Sequence, residues 1–96
     1  MQYIVLAYDA KDEEALERRL ANRSEHLKKA KEYKESGKLL FVSAILDDNE
    51  KMIGSLLVVE SESQEKLFEE WLSQDPYYLN NVWENFEIKQ TKIPQL

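Results

Sequence analysis

Residues 38–60 read KLLFVSAILDDNEKMIGSLLVVE, two apolar runs on either side of an acidic tetrapeptide. Val42, Ile45, Val58 and Val59 branch at Cβ and favour extended backbone. Asp47-Asp48-Asn49-Glu50 is turn chemistry, because short polar side chains bond their own backbone. The stretch predicts a hairpin with strands at 38–46 and 51–60. Two strands alone have no core, so the flanking segments must cover one face.

Upstream, residues 13–36 contain neither Pro nor Gly and predict one long helix. Leu16, Leu20, Leu27 and Ala30 mark its expected buried face. Asp12 is the expected N-cap, with Glu13 and Glu14 in the first turn. Gly37 stops the helix as its C′ residue, with Lys34 and Lys38 at the negative end. A second possibility is a break at Asn22-Arg23-Ser24, with Ser24 capping a separate helix. Before the helix, residues 2–8 (QYIVLAY) predict a buried strand. Downstream, Ser61–Ser63 opens a helix over about 63–74, burying Leu67, Phe68, Trp71 and Leu72. Asp75-Pro76 ends it, because the residue before proline avoids helical backbone. Residues 77–81 form a turn or short helix, and residues from Val82 to about Lys92 alternate as a last strand. The order β-α-β-β-α-β is an α+β, ferredoxin-like plan in a single domain over 1–96: a four-stranded antiparallel sheet with both helices on one face. The other face would be bare in a monomer, which predicts a homodimer packed through its sheets.

The 96 residues carry 13 Lys and Arg against 19 Asp and Glu, a net charge of −6. Such a balance repels nucleic acid, whose binding depends on neutralising phosphates. The lysines 28, 29, 31 and 34 are interleaved with Glu25, Glu32 and Glu35, so no nucleic-acid partner is expected. There is no cysteine, hence no disulfide or thiol nucleophile, and one histidine makes a dedicated metal site unexpected. The run Tyr3–Tyr8 is far too short to cross a membrane and lacks a basic leader, so no membrane partner and a cytoplasmic location are expected.

The lone histidine, His26, directs the search for chemistry. At roughly 100° per residue, Arg23 lies within about 20° of Leu16, and His26 about 80° away on the flank of the stripe. Arg19, Ala30 and Tyr33 share that edge. An arginine facing the core needs a carboxylate or a cavity; otherwise Arg23 snorkels and His26 is a structural residue. Asp75-Pro76-Tyr77-Tyr78 supplies an acid whose direction the proline fixes, beside two aromatic walls with hydroxyl tips. A carboxylate beside an imidazole sets its tautomer and prepares it as a general acid and base; the plainer alternative is a capping Asp. Trp71 and Trp83 are read as core or dimer-interface aromatics. The two glycines are isolated, so there is no phosphate loop.

Several segments taken in order resemble the YciI-like (YCII-related) family of small bacterial proteins: MQYIVLAYD, ALERRLANRSEHL, KESGKLL, IGSLLVVESES and DPYYLNNVWENFEIK. Together they cover nearly the whole chain. The resemblance implies a subunit of the dimeric α/β-barrel type with a histidine–aspartate active-site pair. Those residues match His26, preceded by Arg23, and Asp75. Glu35 matches a position where some relatives carry an acid, a further candidate carboxylate. Relatives often have Ala-Gly-Pro or Gly-Pro near Val42-Ser43-Ala44, so Ser43 and Ala44 reshape that wall. Gly54-Ser55 matches the family.

Three functions fit. In the first, His26 shuttles a proton, Asp75 orients it, and Arg23, Ser43 and Tyr77 bind a small organic ligand, anionic if Arg23 is to hold it. Elimination, isomerisation and hydrolysis all suit these parts, and none requires a cofactor. In the second, the same pocket binds a ligand without catalysis. In the third, the chain is a dimerisation module only.

Overall fold

A computed structural model describes residues 1–96. The hairpin forms as expected: β2 (Leu39–Leu46) and β3 (Met52–Glu60) pair antiparallel. The Asp47 carboxylate accepts from the backbone N–H groups of Asn49 and Lys51 at 2.8 and 3.0 Å, closing the turn. β1 (Gln2–Asp9) pairs with β3 and with β4 (Trp83–Thr91), giving the all-antiparallel order β2-β3-β1-β4. This is the expected α+β, ferredoxin-like architecture. No helix is long and apolar enough to cross a membrane.

Side chains of β1 alternate between the sheet's two faces. Tyr3, Val5 and Ala7 are buried with Leu57 and Val59 of β3 against Ala30, Leu67, Trp71, Leu72 and Tyr77 from the helical segments. On the opposite face, register aligns Phe41, Val58 and Ile4 in one row and Ser43, Leu56 and Leu6 in the next. Phe41 there is 57% exposed.

The long helix α1 (Ala15–Glu35) runs unbroken through Asn22-Arg23-Ser24. Asn22 stays helical by turning its amide back onto the Arg18 carbonyl at 2.9 Å. The C-terminus closes as expected: Gly37 has φ +80°, its N–H reaches the Lys34 carbonyl, and the Lys38 N–H reaches that of Tyr33. The N-terminus differs. Glu14, not Asp12, is the N-cap; Asp12 instead accepts both terminal nitrogens of Arg18 at 2.7 and 2.8 Å. That guanidinium holds the Asp12 carboxyl down at about 2.

The buried face of α1 also corrects the expected leucine stripe. Ala15, Arg19, His26 and Ala30 turn inward, while Leu20 and Leu27 are 54% and 42% exposed. Leucines bury by default, but a polar residue is buried stably only where its partners are already built. Arg19 and His26 each meet a buried carboxylate, so the helix settles on their face.

The second helical segment is divided where one helix over 63–74 was expected. Ser63 caps α2 (Gln64–Glu70), accepting from the Lys66 N–H; a 3-10 turn follows at Leu72–Gln74, and α3 (Pro76–Leu79) ends the run. Asp75, with ψ 138°, is extended as a residue before proline must be. The divided path brings Asp75 and Tyr77 inward beneath α1.

Candidate active site

Arg19 and His26 stand at spacing i, i+7 on α1, two turns apart on one face. Each is matched by an acid from another element. Asp75 follows the 3-10 turn and N-caps α3, with Oδ1 accepting the Tyr77 N–H at 2.9 Å. The same carboxylate meets His26 Nδ1 at 2.8 Å through Oδ1 and 3.0 Å through Oδ2. His26 and Asp75 are 3% and 1% exposed. A carboxylate accepts, so Nδ1 carries a proton, and in the neutral ring Nε2 keeps its lone pair. Nε2 has no partner within the chain, and His26 lines a cleft of about 190 Å³.

The ring is clamped on two sides. Tyr77 stacks on it at 3.8 Å between centroids, nearly parallel, and Trp83 meets it edge-on at 5.6 Å. Burial pushes the Tyr77 phenol up, keeping it protonated. The second ion pair lies beside the first. Arg19 Nη1 donates to both Asp9 oxygens at 2.9 and 3.1 Å, and Nη2 donates to Ser55 Oγ at 3.0 Å. Its guanidinium carbon sits 4.9 Å from the centre of the Tyr77 ring. Trp83 Nε1 donates to the same Ser55 oxygen at 3.1 Å. Burial raises the Asp9 carboxyl above its ordinary value, outweighing the pull of Arg19.

Two local devices hold this cluster. At the β1–β4 pairing a register shift places Trp83 opposite Asp9, so the indole and not Glu84 faces the acid. In β3, Gly54 precedes Ser55, and a Cβ there would lie 2.6 Å from the Ala7 carbonyl oxygen. Glycine lets β1 and β3 approach closely at the position that aims Ser55 inward.

The candidate residues fall into two groups. His26, Asp75 and Tyr77 are together and buried. Arg23 lines the cleft from an exposed position and has no hydrogen bond within the chain, so it is the free cation at the rim. Val42, Ser43 and Ala44 form the β2 wall, but register places Ser43 in the row of Leu56, on the face away from the helices. It lines the cleft from that register position. Glu35 is exposed in the last turn of α1 with no ion pair or hydrogen bond and does not join His26. No three His, Asp or Glu side chains are grouped to ligate a metal ion.

Asp9, Arg19, Ser55 and Trp83 were not anticipated as site residues. One signal was available: Asp9 continues the inward period-two series Tyr3, Val5, Ala7, which flags an acid in need of a buried cation.

Comparison with known proteins agrees with this arrangement of elements. The solved structure of 5-chloro-2-hydroxyhydroquinone dehydrochlorinase (TftG) from Burkholderia phenoliruptrix AC1100, in complex with 2,5-dihydroxybenzoquinone, superposes with a TM-score of 0.80 at 22% identity, covering 96% of this chain and 94% of that one. A protein of Agrobacterium tumefaciens has a TM-score of 0.53 at 17% identity, covering 99% and 95%. At such identities these likenesses show the fold alone. The sequence matches are more direct: Protein YciI of Escherichia coli O6:H1 and that of Shigella flexneri are each 32% identical over 98 residues, covering 96% of this chain and 97% of theirs. With the YCII-related domain model also matching residues 1–92, the chain belongs to the YCII-related family.

Proposed function

We propose that the protein is an enzyme that eliminates a leaving group from a small, oxygen-bearing organic anion by general acid–base catalysis. The observation that carries this is the buried His26–Asp75 contact at 2.8 Å, with Nε2 free at a cleft. Nε2 takes a proton from the ligand, and the bonding electrons move to expel the leaving group from the adjacent atom. Asp75 stabilises the imidazolium that forms. Arg23 at the rim meets the anionic group, and Tyr77 is the rigid wall behind the imidazole. The cleft, at about 190 Å³, admits only a small ligand; drug-sized sites run to roughly 300–1,000 Å³. A dehydrochlorinase among the structural neighbours favours elimination over isomerisation or hydrolysis for this set of groups.

The test uses 5-chloro-2-hydroxyhydroquinone as substrate, read by chloride release, and 2,5-dihydroxybenzoquinone as a binding probe, read by calorimetry. Turnover by the unmodified protein should fall at least about 100-fold in His26→Gln, with probe binding retained. Binding without turnover would favour a non-catalytic ligand binder, and an absence of binding would exclude this ligand class.

We also propose that the working form is a homodimer closed through the bare sheet face. Rows Phe41–Val58–Ile4 and Leu56–Leu6 offer a contiguous apolar surface there. Sedimentation at micromolar concentration should return about twice the 11.4 kDa of one chain, and Val58→Lys should return a single chain. A monomer for the unmodified protein would defeat the idea.

A further inference from the structure

The Arg19 guanidinium and the Ser55 hydroxyl hold more donors than the chain uses. A guanidinium has five N–H groups and an indole one, and neither accepts. Arg19 Nη1 is engaged by Asp9 and Nη2 by Ser55 Oγ, but Nε is buried without any partner. Ser55 Oγ accepts from both Arg19 Nη2 and Trp83 Nε1. Both lone pairs of that oxygen are then occupied, and its own O–H is left to donate. No acceptor in the chain receives it. Ser55 and Arg19 are 1% and 4% exposed, so bulk water does not serve these donors. A folded chain keeps buried donors unpaired only where something else supplies the acceptor. Both side chains line the cleft that holds His26 and Tyr77.

We infer that Arg19 Nε–H and Ser55 Oγ–H form an oxygen-acceptor subsite on the cleft floor, which takes a carbonyl or enolate oxygen of the ligand. The assignment rests on His26 acting as the proton carrier in the same cleft. Asp9 already balances the Arg19 charge, so the subsite selects by hydrogen bonding to lone pairs and not by net charge. Full anionic charge is left to Arg23 at the rim. As Nε2 of His26 removes a proton from an atom adjacent to the carbonyl, the bonding electrons shift toward the carbonyl oxygen, and they return from it to expel the leaving group from the neighbouring atom. The fixed donors hold that oxygen more strongly as its charge grows. A molecule lacking the oxygen leaves both donors unpaired and is rejected.

The test titrates ¹⁵N-labelled full-length protein with 2,5-dihydroxybenzoquinone and follows the arginine Nε–H resonances. The Arg19 signal, identified by its loss in Arg19→Lys, should shift and become protected from exchange. That of Arg18, which donates to the Asn81 carbonyl, should stay. Ser55→Ala should weaken probe binding about tenfold, and Ser55→Thr, which keeps the hydroxyl, should stay within about threefold. Should Ser55→Ala fail to fold, the Arg19 resonance in the unmodified protein still decides. If it stays fixed at saturation while the His26 ring signals move, the subsite is overturned and the histidine assignment survives. If the probe does not bind the unmodified protein, this ligand class is excluded and the subsite for its carbonyl oxygen falls with it.

Discussion

Asp75→Asn is expected to lower kcat for chloride release by about two to four powers of ten while leaving the chain folded. The fold survives because asparagine caps a helix as well as aspartate does. Its carbonyl oxygen keeps the contact with the Tyr77 N–H that Oδ1 now makes at 2.9 Å. That anchor dictates what faces the imidazole. The amide nitrogen must take the place of Oδ2, which lies 3.0 Å from His26 Nδ1. The retained oxygen still lies 2.8 Å from Nδ1, but the amide N–H beside it opposes the Nδ1–H, which favours the tautomer with the ring proton on Nε2 and Nδ1 accepting from the amide. The nitrogen facing the cleft then has no lone pair for a substrate proton. Ring ¹⁵N shifts report which nitrogen is protonated, and they should exchange places between the unmodified protein and the variant. An unchanged tautomer together with unchanged kcat would sink the dyad. Stability should fall only by the lost charge-assisted bond, about 1.5–3 kcal/mol. Asp75→Ala also removes the cap, so its midpoint should drop further.

Much of this is legible in the sequence alone. The hairpin at 38–60 is written in two apolar runs around four polar residues, and the flanking helices and strands follow from period and punctuation. Asp75 was legible for a local reason: proline restricts the residue before it, so an Asp-Pro pair after an amphipathic run has a defined geometry. The rotation of α1 was not legible. Periodicity weighs Leu16, Leu20 and Leu27 as core and puts Arg19 with His26 only on the edge of that stripe. Whether Arg19 can be buried depends on Asp9 at the end of β1 and on Ser55 in β3, both outside the helix. The face on which Ser43 stands is illegible for a related reason. A strand sequence does not say which face is which until its register is known, and a slip of one residue exchanges them. Trp83 owes its place to a register shift next to Asp9, which no composition reveals.

At neutral pH, Asp9→Ala is expected to destabilise the protein by about 3–5 kcal/mol, a large share of what a small domain has. The cause is not that the Asp9–Arg19 pair is itself a strong source of stability. Burial raises the Asp9 carboxyl above its ordinary 3.8 in spite of Arg19, so the folded state holds that proton more tightly than the unfolded chain does. Stability linked to this group is therefore complete below 3.8 and declines as pH rises through the folded value. The ionised Asp9 carboxyl has lost more hydration than the attraction of Arg19 returns to it. Removing the acid alone is worse, because it leaves the Arg19 guanidinium buried at 4% exposure with only Ser55 as partner. The sharper comparison is the double replacement Asp9→Leu with Arg19→Met, which removes both charges and roughly conserves volume. It should recover most of the loss and match or exceed the parent in urea denaturation, while abolishing probe binding at the subsite. If Asp9→Ala costs less than about 1 kcal/mol, or the double variant is no more stable than the single, the pair is not a buried ion pair of this kind. A recovered fold that no longer binds would mean that the charges are retained to aim Arg19 Nε and Ser55 Oγ at a ligand, at the expense of a more stable apolar core.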